Sequence, residues 1–509
     1  MFATQINRVL PLVITIGLVL SAAIWVLHSL PIGDRLQYDE YYTLERSFGF
    51  IKHDDWLNVY TRGKPSANKP PLQYWLTAVT AQVGVPDLLA MRFWPFVFFI
   101  ALLIATAVTS VTLAKGNWWA APASVLLLGS SMTMVELSRS GLLDMGVGMF
   151  LMLAISSMAL AKSDTRAWIA CGVFLGLGAM QKAPIILLLG IMLWVLHLRK
   201  DPDYQWRHLR QIPHFNYGYR IAIGLTLFWP LLQMFQHGVK FMGGSLNREI
   251  VKRLNPLREF EGNSNNMGTA LTWLWDDWYV FAAVALGCML AVLLLKRWRS
   301  EAVLFSMSFY LVALLLILTF AKGSIYPRYL SLITPFLVVI VVKVFSDVIK
   351  WKPAVLMLGV LWFGVSFEQV DKIIHEDYSN SSRLPWETVQ QVVTRAEELV
   401  RPNDLVVANR EDPPTGAYGY FGQSIQPDEY FHSSKSGSIK RLKATIEEYH
   451  FEHKGNVDSG IFGIALAENL PNIEKKFPGL QTLAAVDGIV FWRFPARVSD
   501  TASLHANGG

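Results

Sequence analysis

The sequence predicts an α-helical polytopic membrane protein of about 11 transmembrane helices, with a small C-terminal α/β domain outside the bilayer. Three observations predict it. Of 509 residues, 52% are hydrophobic and 17% charged, whereas soluble domains carry about 25% charged residues. Apolar runs near the ~20 residues that span a hydrocarbon core recur along the chain. Lys and Arg fall largely in short loops between those runs, which is what membrane topology asks for. The net charge of +6 therefore reads as topology, and nucleic acid is not an expected partner. The two cysteines, Cys171 and Cys288, both lie inside apolar runs, which argues against a disulfide framework and a thiolate metal site.

Taken in order, the expected crossings are residues 9–30, 91–114, 118–135, 143–161, 167–180, 185–198, 221–235, 278–295, 303–320, 329–344 and 353–367. The first is preceded by Arg8 and lacks a small-residue cleavage site, so it reads as a retained helix, with a cleaved signal peptide as the alternative. With the N-terminus in the cytoplasm, every inner loop is basic: Lys115; Lys162 and Arg166; Arg199, Lys200, Arg207 and Arg210; Lys296, Arg297 and Arg299; Lys350 and Lys352. An odd number of spans puts the C-terminal domain outside. Segment 71–85 is apolar enough to tempt a twelfth span, but counting it would move the basic loops outward. It reads instead as a helix lying on the outer surface, started by Pro70-Pro71.

Two domains follow. Residues 1–367 form the multi-spanning membrane domain, with long outer loops 31–90 and 237–277. Residues 368–509 form the extracytoplasmic tail. There, apolar strand-like runs at 404–408, 460–465 and 489–494 alternate with helical patterns at 385–400 and 440–450, the mark of an α/β domain.

On this topology, ionisable groups gather on the outer face. Asp39 and Glu40 stand in Gln37-Tyr38-Asp39-Glu40-Tyr41-Tyr42, beyond the first span, and Lys69 precedes Pro70-Pro71. Arg139 and Asp144 flank a short outer turn, and Lys182 closes the fifth span. Arg253 lies in the second long loop, and Tyr326 and Arg328 in the last outer turn. Charges at membrane-embedded ends are costly and mark function by default. Each also has a plainer reading. Asp39-Glu40 would be a solvated loop pair, Arg139 with Asp144 a structural ion pair, and Lys69 and Lys182 headgroup contacts. No histidine cluster has ligand spacing, so no metal and no other cofactor is expected.

The acidic pair after helix one, Lys69-Pro70-Pro71-Leu72, the Leu143-Asp144 turn, Gln181-Lys182 and the Lys322–Tyr329 turn together resemble the GT-C glycosyltransferases. The branch they resemble holds the bacterial integral-membrane relatives of protein O-mannosyltransferase and lipid A aminoarabinose transferase. The resemblance covers about the first 370 residues. It implies a sugar donor linked to a polyprenyl (undecaprenyl) phosphate and an acceptor that is a glycolipid such as lipid A, a surface glycan or a protein. It implies a multi-pass protein of the inner membrane working among membrane lipids. Asp39 inherits the catalytic role, with Glu40 in support. Lys69, Arg253, Arg328 and Lys182 become donor-phosphate contacts, and Arg139, Asp144 and Tyr326 supporting residues. Tyr41 or Tyr42 stands where many relatives carry an arginine, so one phosphate contact is expected from elsewhere, from Arg139 or Arg328. Attack by the acceptor opposite a lipid-phosphate leaving group would invert the anomeric carbon. The alternative from another class is a lipid or sugar flippase of the same membrane, which would place ionisable groups near the midplane.

Overall fold

The structure is a computed structural model. It describes residues 2–31, 38–61, 63–182, 185–246, 266–320, 326–375, 391, 394, 398–401, 404–409, 429–431, 433–452, 460–486 and 488–494. Helices are α1 (Phe2–Ser29), α2 (Tyr38–Lys52), α3 (Leu72–Gln82), α4 (Asp87–Leu113), α5 (Ala120–Gly129), α6 (Met132–Ser138), α7 (Asp144–Leu160), α8 (Ala167–Gln181), α9 (Ile185–Leu198), α10 (Trp206–Leu209), α11 (Pro213–His237) and α12 (Val239–Leu246). Then follow α13 (Asn266–Trp278), α14 (Val280–Leu294), α15 (Lys296–Arg299), α16 (Ala302–Phe320), α17 (Thr334–Val348), α18 (Ala354–His375), α19 (Ser436–Glu452) and α20 (Leu470–Glu474). The strands are β1 (Tyr60–Thr61), β2 (Lys64–Pro65), β3 (Leu405–Asn409), β4 (Glu429–Phe431), β5 (Ile461–Leu466), β6 (Gln481–Val486) and β7 (Ile489–Arg493). Packing divides the chain into two units. One holds Met1–Ile32, Ala67–Gln73 and Arg92–Glu376; the other holds Gly33–Ser66, Tyr74–Met91 and Asp377–Gly509.

The first unit is the helical membrane body. An apolar helix stands at each of the eleven expected crossings. Their lengths differ from the expectation. Among the described residues, three helices are long and apolar enough to cross a membrane, or up to five if each bent pair is one span. Helices α7, α8, α9 and α17 have 17, 15, 14 and 15 residues. Such short helices are tolerable where protein rather than lipid surrounds their ends, and α7 and α17 are buried along most of their length.

The span expected at 118–135 is broken: α5 and α6 meet at 78°. The break leaves backbone donors that need partners. Asp277, at the end of α13, supplies them. Its carboxylate accepts from Ser131 Oγ at 2.6 Å and from the Thr133 amide at 2.7 Å, while Ser131 Oγ accepts the Met134 amide. Elsewhere α8 packs on α11 with backbone on backbone, since a Cβ at Gly172 would lie 2.0 Å from the Gly218 carbonyl oxygen. Near the α15–α17 loops, fully buried Lys343 is held by Glu301 at 3.0 Å and Asp347 at 2.9 Å. Trp298 donates to the same Asp347.

The second unit joins part of the first long loop to the tail. Residues 38–52, expected as loop, form α2. The apolar stripe Tyr41, Leu44, Phe48 and Ile51 packs on Ala81, Val85, Leu88, Ala90 and Met91, and that i, i+3, i+7 spacing makes the helix. Asp55 accepts from the Leu57 amide, Asn58 Nδ2 and Tyr60 hydroxyl. Burial opposes its ionisation, yet these bonds hold its pKa below the ordinary carboxylate value. The tail is a five-stranded sheet ordered β4-β3-β5-β7-β6, parallel from β4 to β5 and antiparallel through β7 and β6. Alternate residues face alternate cores: Val406, Ala408, Phe462, Ile464 and Phe491 on one side, Leu405, Val407, Ile461, Val490 and Trp492 with Ile439 and Leu442 of α19 on the other. Strands β4 and β6 are not expected from the sequence. Most of the helix expected at 385–400 lies outside the described residues. The Lys64 ammonium meets the Glu429 carboxylate at 2.9 Å, tying the β1–β2 hairpin to the sheet edge.

Candidate active site

In the helical unit the polar centre lies where α7 begins and α8 ends. Helices α7 and α8 are antiparallel neighbours, so residue 144 at the start of one meets residue 182 at the end of the other. The Lys182 ammonium donates to both Asp144 oxygens, at 2.6 and 2.8 Å. Both side chains are largely buried, 18% exposed for Lys182 and 7% for Asp144. Asp144 also occupies the first turn of α7, where the helix dipole favours a carboxylate. Arg328 comes next, its Nε 3.9 Å from Asp144, in the 3-10 turn Pro327–Leu332. Its guanidinium lies 4.4 Å from the centroid of the Tyr326 ring, and Lys182 lies 5.8 Å from that of Tyr329.

Two glycines make this convergence possible. A Cβ at Gly148 would lie 2.6 Å from the Ser331 carbonyl oxygen, and one at Gly146 2.5 Å from Gln181 Nε2. Helix α7 can therefore touch both the turn carrying Arg328 and the end of α8. Gln181 Nε2 donates to the Leu143 carbonyl at 3.0 Å and to Gln73 Oε1. Gln73 sits in the first turn of α3, four residues after Lys69, so the Lys-Pro-Pro segment is anchored to the same end of α7 and α8. One carboxylate among Lys182 and Arg328 leaves net positive charge in a partly buried setting, the environment that holds a phosphate.

The structure thus brings Asp144, Lys182, Arg328 and Tyr326 together. Arg139 is directed elsewhere: it caps α6, and its guanidinium donates to the Ile373 carbonyl of α18. The carboxylate partner of Lys182 is Asp144, a pairing over 38 residues that the local Arg139–Asp144 alternative obscured. Arg253 lies outside the described residues, as does Lys322.

Asp39 and Glu40 belong to the other unit, in the first turn of α2. Glu40 is fully buried, whereas Asp39 is half-buried. Sequence reasoning missed Arg46, one helical turn past Tyr42. Its Nε donates to Thr61 Oγ1 at 3.1 Å and its Nη1 to the Tyr74 hydroxyl at 2.9 Å, and the Tyr42 ring lies beneath it at 5.0 Å. Burial lowers its pKa, but Tyr74 and Glu45 more than compensate and raise it. The available signal was the i, i+4 spacing of Tyr42 and Arg46. Among the described residues no group of three or more His, Cys, Asp or Glu is arranged to hold a metal.

This architecture is the GT-C glycosyltransferase fold, and the chain is a multi-pass membrane protein. Residues 68–233 match the family described as dolichyl-phosphate-mannose-protein mannosyltransferase. That stretch contains Lys69, Gln73, Asp144 and Lys182. Among solved structures, ArnT from Cupriavidus metallidurans bound to undecaprenyl phosphate aligns with a TM-score of 0.69 at 12% identity, covering 95% of this chain and 98% of that one. ArnT from the same organism in the apo state gives 0.67 at 13% identity, covering 94% and 98%. A search of curated proteins finds no match.

Proposed function

We propose that the chain is a glycosyltransferase that moves a sugar from a polyprenyl-phosphate donor to a glycolipid, surface glycan or protein. The reaction would run on the outer face of the inner membrane, with the N-terminus cytoplasmic and the tail periplasmic. The observation that carries this reading is the buried Asp144–Lys182–Arg328 cluster, in a fold shared with a protein solved with undecaprenyl phosphate. A lipid phosphate is a good leaving group, so the site needs cations more than a strong general acid. Lys182, Arg328, Lys69 and Arg253 stabilise the charge that develops on the departing phosphate. Asp144 orients Lys182, and Tyr326 flanks Arg328.

Asp39 takes the proton from the acceptor hydroxyl as that oxygen attacks the anomeric carbon opposite the phosphate, with inversion. Asp39 is favoured over Glu40 because it is the more accessible of the two; Glu40 acts in support of Asp39 or as a ligand for the acceptor. The test is Asp39→Asn in proteoliposomes supplied with a polyprenyl-phosphate sugar. Turnover is expected to fall by ~10²–10⁴-fold, the usual contribution of a positioned base, with the donor KM little changed. Full turnover would remove Asp39 as base. Transmembrane flux of the donor with no covalent product would turn the reading to a flippase.

A further inference from the structure

At the other end of the same helices lies a second site. Asp144 and Lys182 mark one end of the α7–α8 pair. Trp168, Cys171 and Leu175, near the start of α8, border a cavity of about 790 Å³ between α8, α9 and α11. Ten residues of helix separate Cys171 from Gln181, about 15 Å of axial rise. The cavity is therefore distinct from the site described above. Its volume lies within the range of ligand pockets.

The walls are apolar, and the mouth is polar. His197, Gln205 and Arg207 border it. In the loop 199–210, four cations (Arg199, Lys200, Arg207, Arg210) face two carboxylates (Asp201, Asp203), and Lys162 takes Asp203 at 3.0 Å. Arg199 donates to the Arg299 carbonyl, bringing a further arginine to this end of the bundle. Tyr204 also borders the cavity. It is 2% exposed, and its hydroxyl has no hydrogen-bond partner among the described residues. A buried hydroxyl left in that state costs free energy that a ligand oxygen would recover. Trp194, Trp206 and Tyr219, all lining residues, are exposed, as aromatic side chains are at a bilayer interface.

We infer that this cavity binds an anionic glycerophospholipid, with acyl chain between α8, α9 and α11 and headgroup phosphate at Arg207 and His197. The Tyr204 hydroxyl donates to an ester carbonyl or phosphate oxygen. Basic pockets between membrane helices take such headgroups, and an apolar body joined to a cationic rim matches a two-part ligand of this kind. The site is independent of the transferase chemistry.

The test uses delipidated full-length protein in detergent, with lipid adducts counted by native mass spectrometry and melting followed against dioleoylphosphatidylglycerol, dioleoylphosphatidylcholine and undecaprenyl phosphate. Three variants separate the parts. Gly190→Trp fills the cavity from a position where an added Cβ meets nothing within 4 Å. Arg207→Glu reverses the rim from an exposed position. Tyr204→Phe removes a hydroxyl that the empty protein does not use. Phosphatidylglycerol is expected to bind roughly tenfold more tightly than phosphatidylcholine, and each variant to weaken it several-fold. Tyr204→Phe should leave the lipid-free melting temperature unchanged or raised while shrinking the lipid-induced shift. Equal binding of the two phospholipids, unchanged binding in Gly190→Trp, or undecaprenyl phosphate displacing phosphatidylglycerol would each overturn the assignment.

Discussion

Asp144 and Lys182 show how much a single pairing decides. Each is largely withdrawn from water, and each has the other as its nearest opposite charge. Removing one member of a buried pair typically costs ~3–5 kcal/mol because the survivor is left uncompensated. Lys182→Met should therefore lower stability by about 3 kcal/mol, discounted somewhat for Lys182's residual exposure. The double variant Asp144→Asn/Lys182→Met should regain much of that loss. Melting of both variants in detergent checks this, and a double variant no better than the single would deny the coupling. Both residues are visible in the sequence as outer-face charges. Their partnership is not, because they stand 38 positions apart and the nearer cation, Arg139, offers itself first. Arg46 escapes for a different reason: with residues 38–52 expected as loop, its helical spacing from Tyr42 carries no meaning.

At the scale of elements, the sequence-visible features are those that depend on local composition. Apolar runs locate a helix at each of the eleven expected crossings, and Pro70-Pro71 marks the start of α3 correctly within a residue. What escapes are features imposed by distant residues. The bend between α5 and α6 is held by Asp277, some 146 residues from Ser131, and nothing in Ser130-Ser131 alone announces it. Strand β4 has three residues, too few for an alternating pattern to register. The close approach of α7 to the Arg328 turn also rests on a distant contact, and it makes a sharp prediction. Gly148→Ala would drive a methyl group into the Ser331 backbone carbonyl, which cannot rotate away. The expected cost is ~1–3 kcal/mol, with a raised KM for the donor as Arg328 shifts. Gly224→Ala, where an added Cβ meets nothing within 4 Å, is the silent control. Equal behaviour of the two would show that α7 has room to retreat.

For the whole molecule, the proposed topology follows from the distribution of Lys and Arg between the apolar runs. The helical body and the α/β tail agree with the expected class. The proposed orientation rests on charge alone and is open to direct measurement. Single cysteines introduced at Arg207 and Tyr326, both exposed positions, should react with a membrane-impermeant maleimide from opposite sides: Arg207→Cys from the cytoplasm, Tyr326→Cys from the periplasm. The native Cys171 and Cys288 are buried and should remain silent. Labelling of both introduced cysteines from one side would overturn the span count. The tail's role is not legible in the sequence because a sheet of mixed strands supports many functions and its chemistry lives in particular side chains.

The seam between α8 and α11 has one more implication. Where Gly172 and Gly218 meet, no side chain stands between the two backbones, so there are no rotamers to absorb a displacement. The two helices must travel as a single beam. If the space beside them is to widen or narrow, the moving part has to be α9, which carries Gly190 into that space and is spared such a lock at that residue.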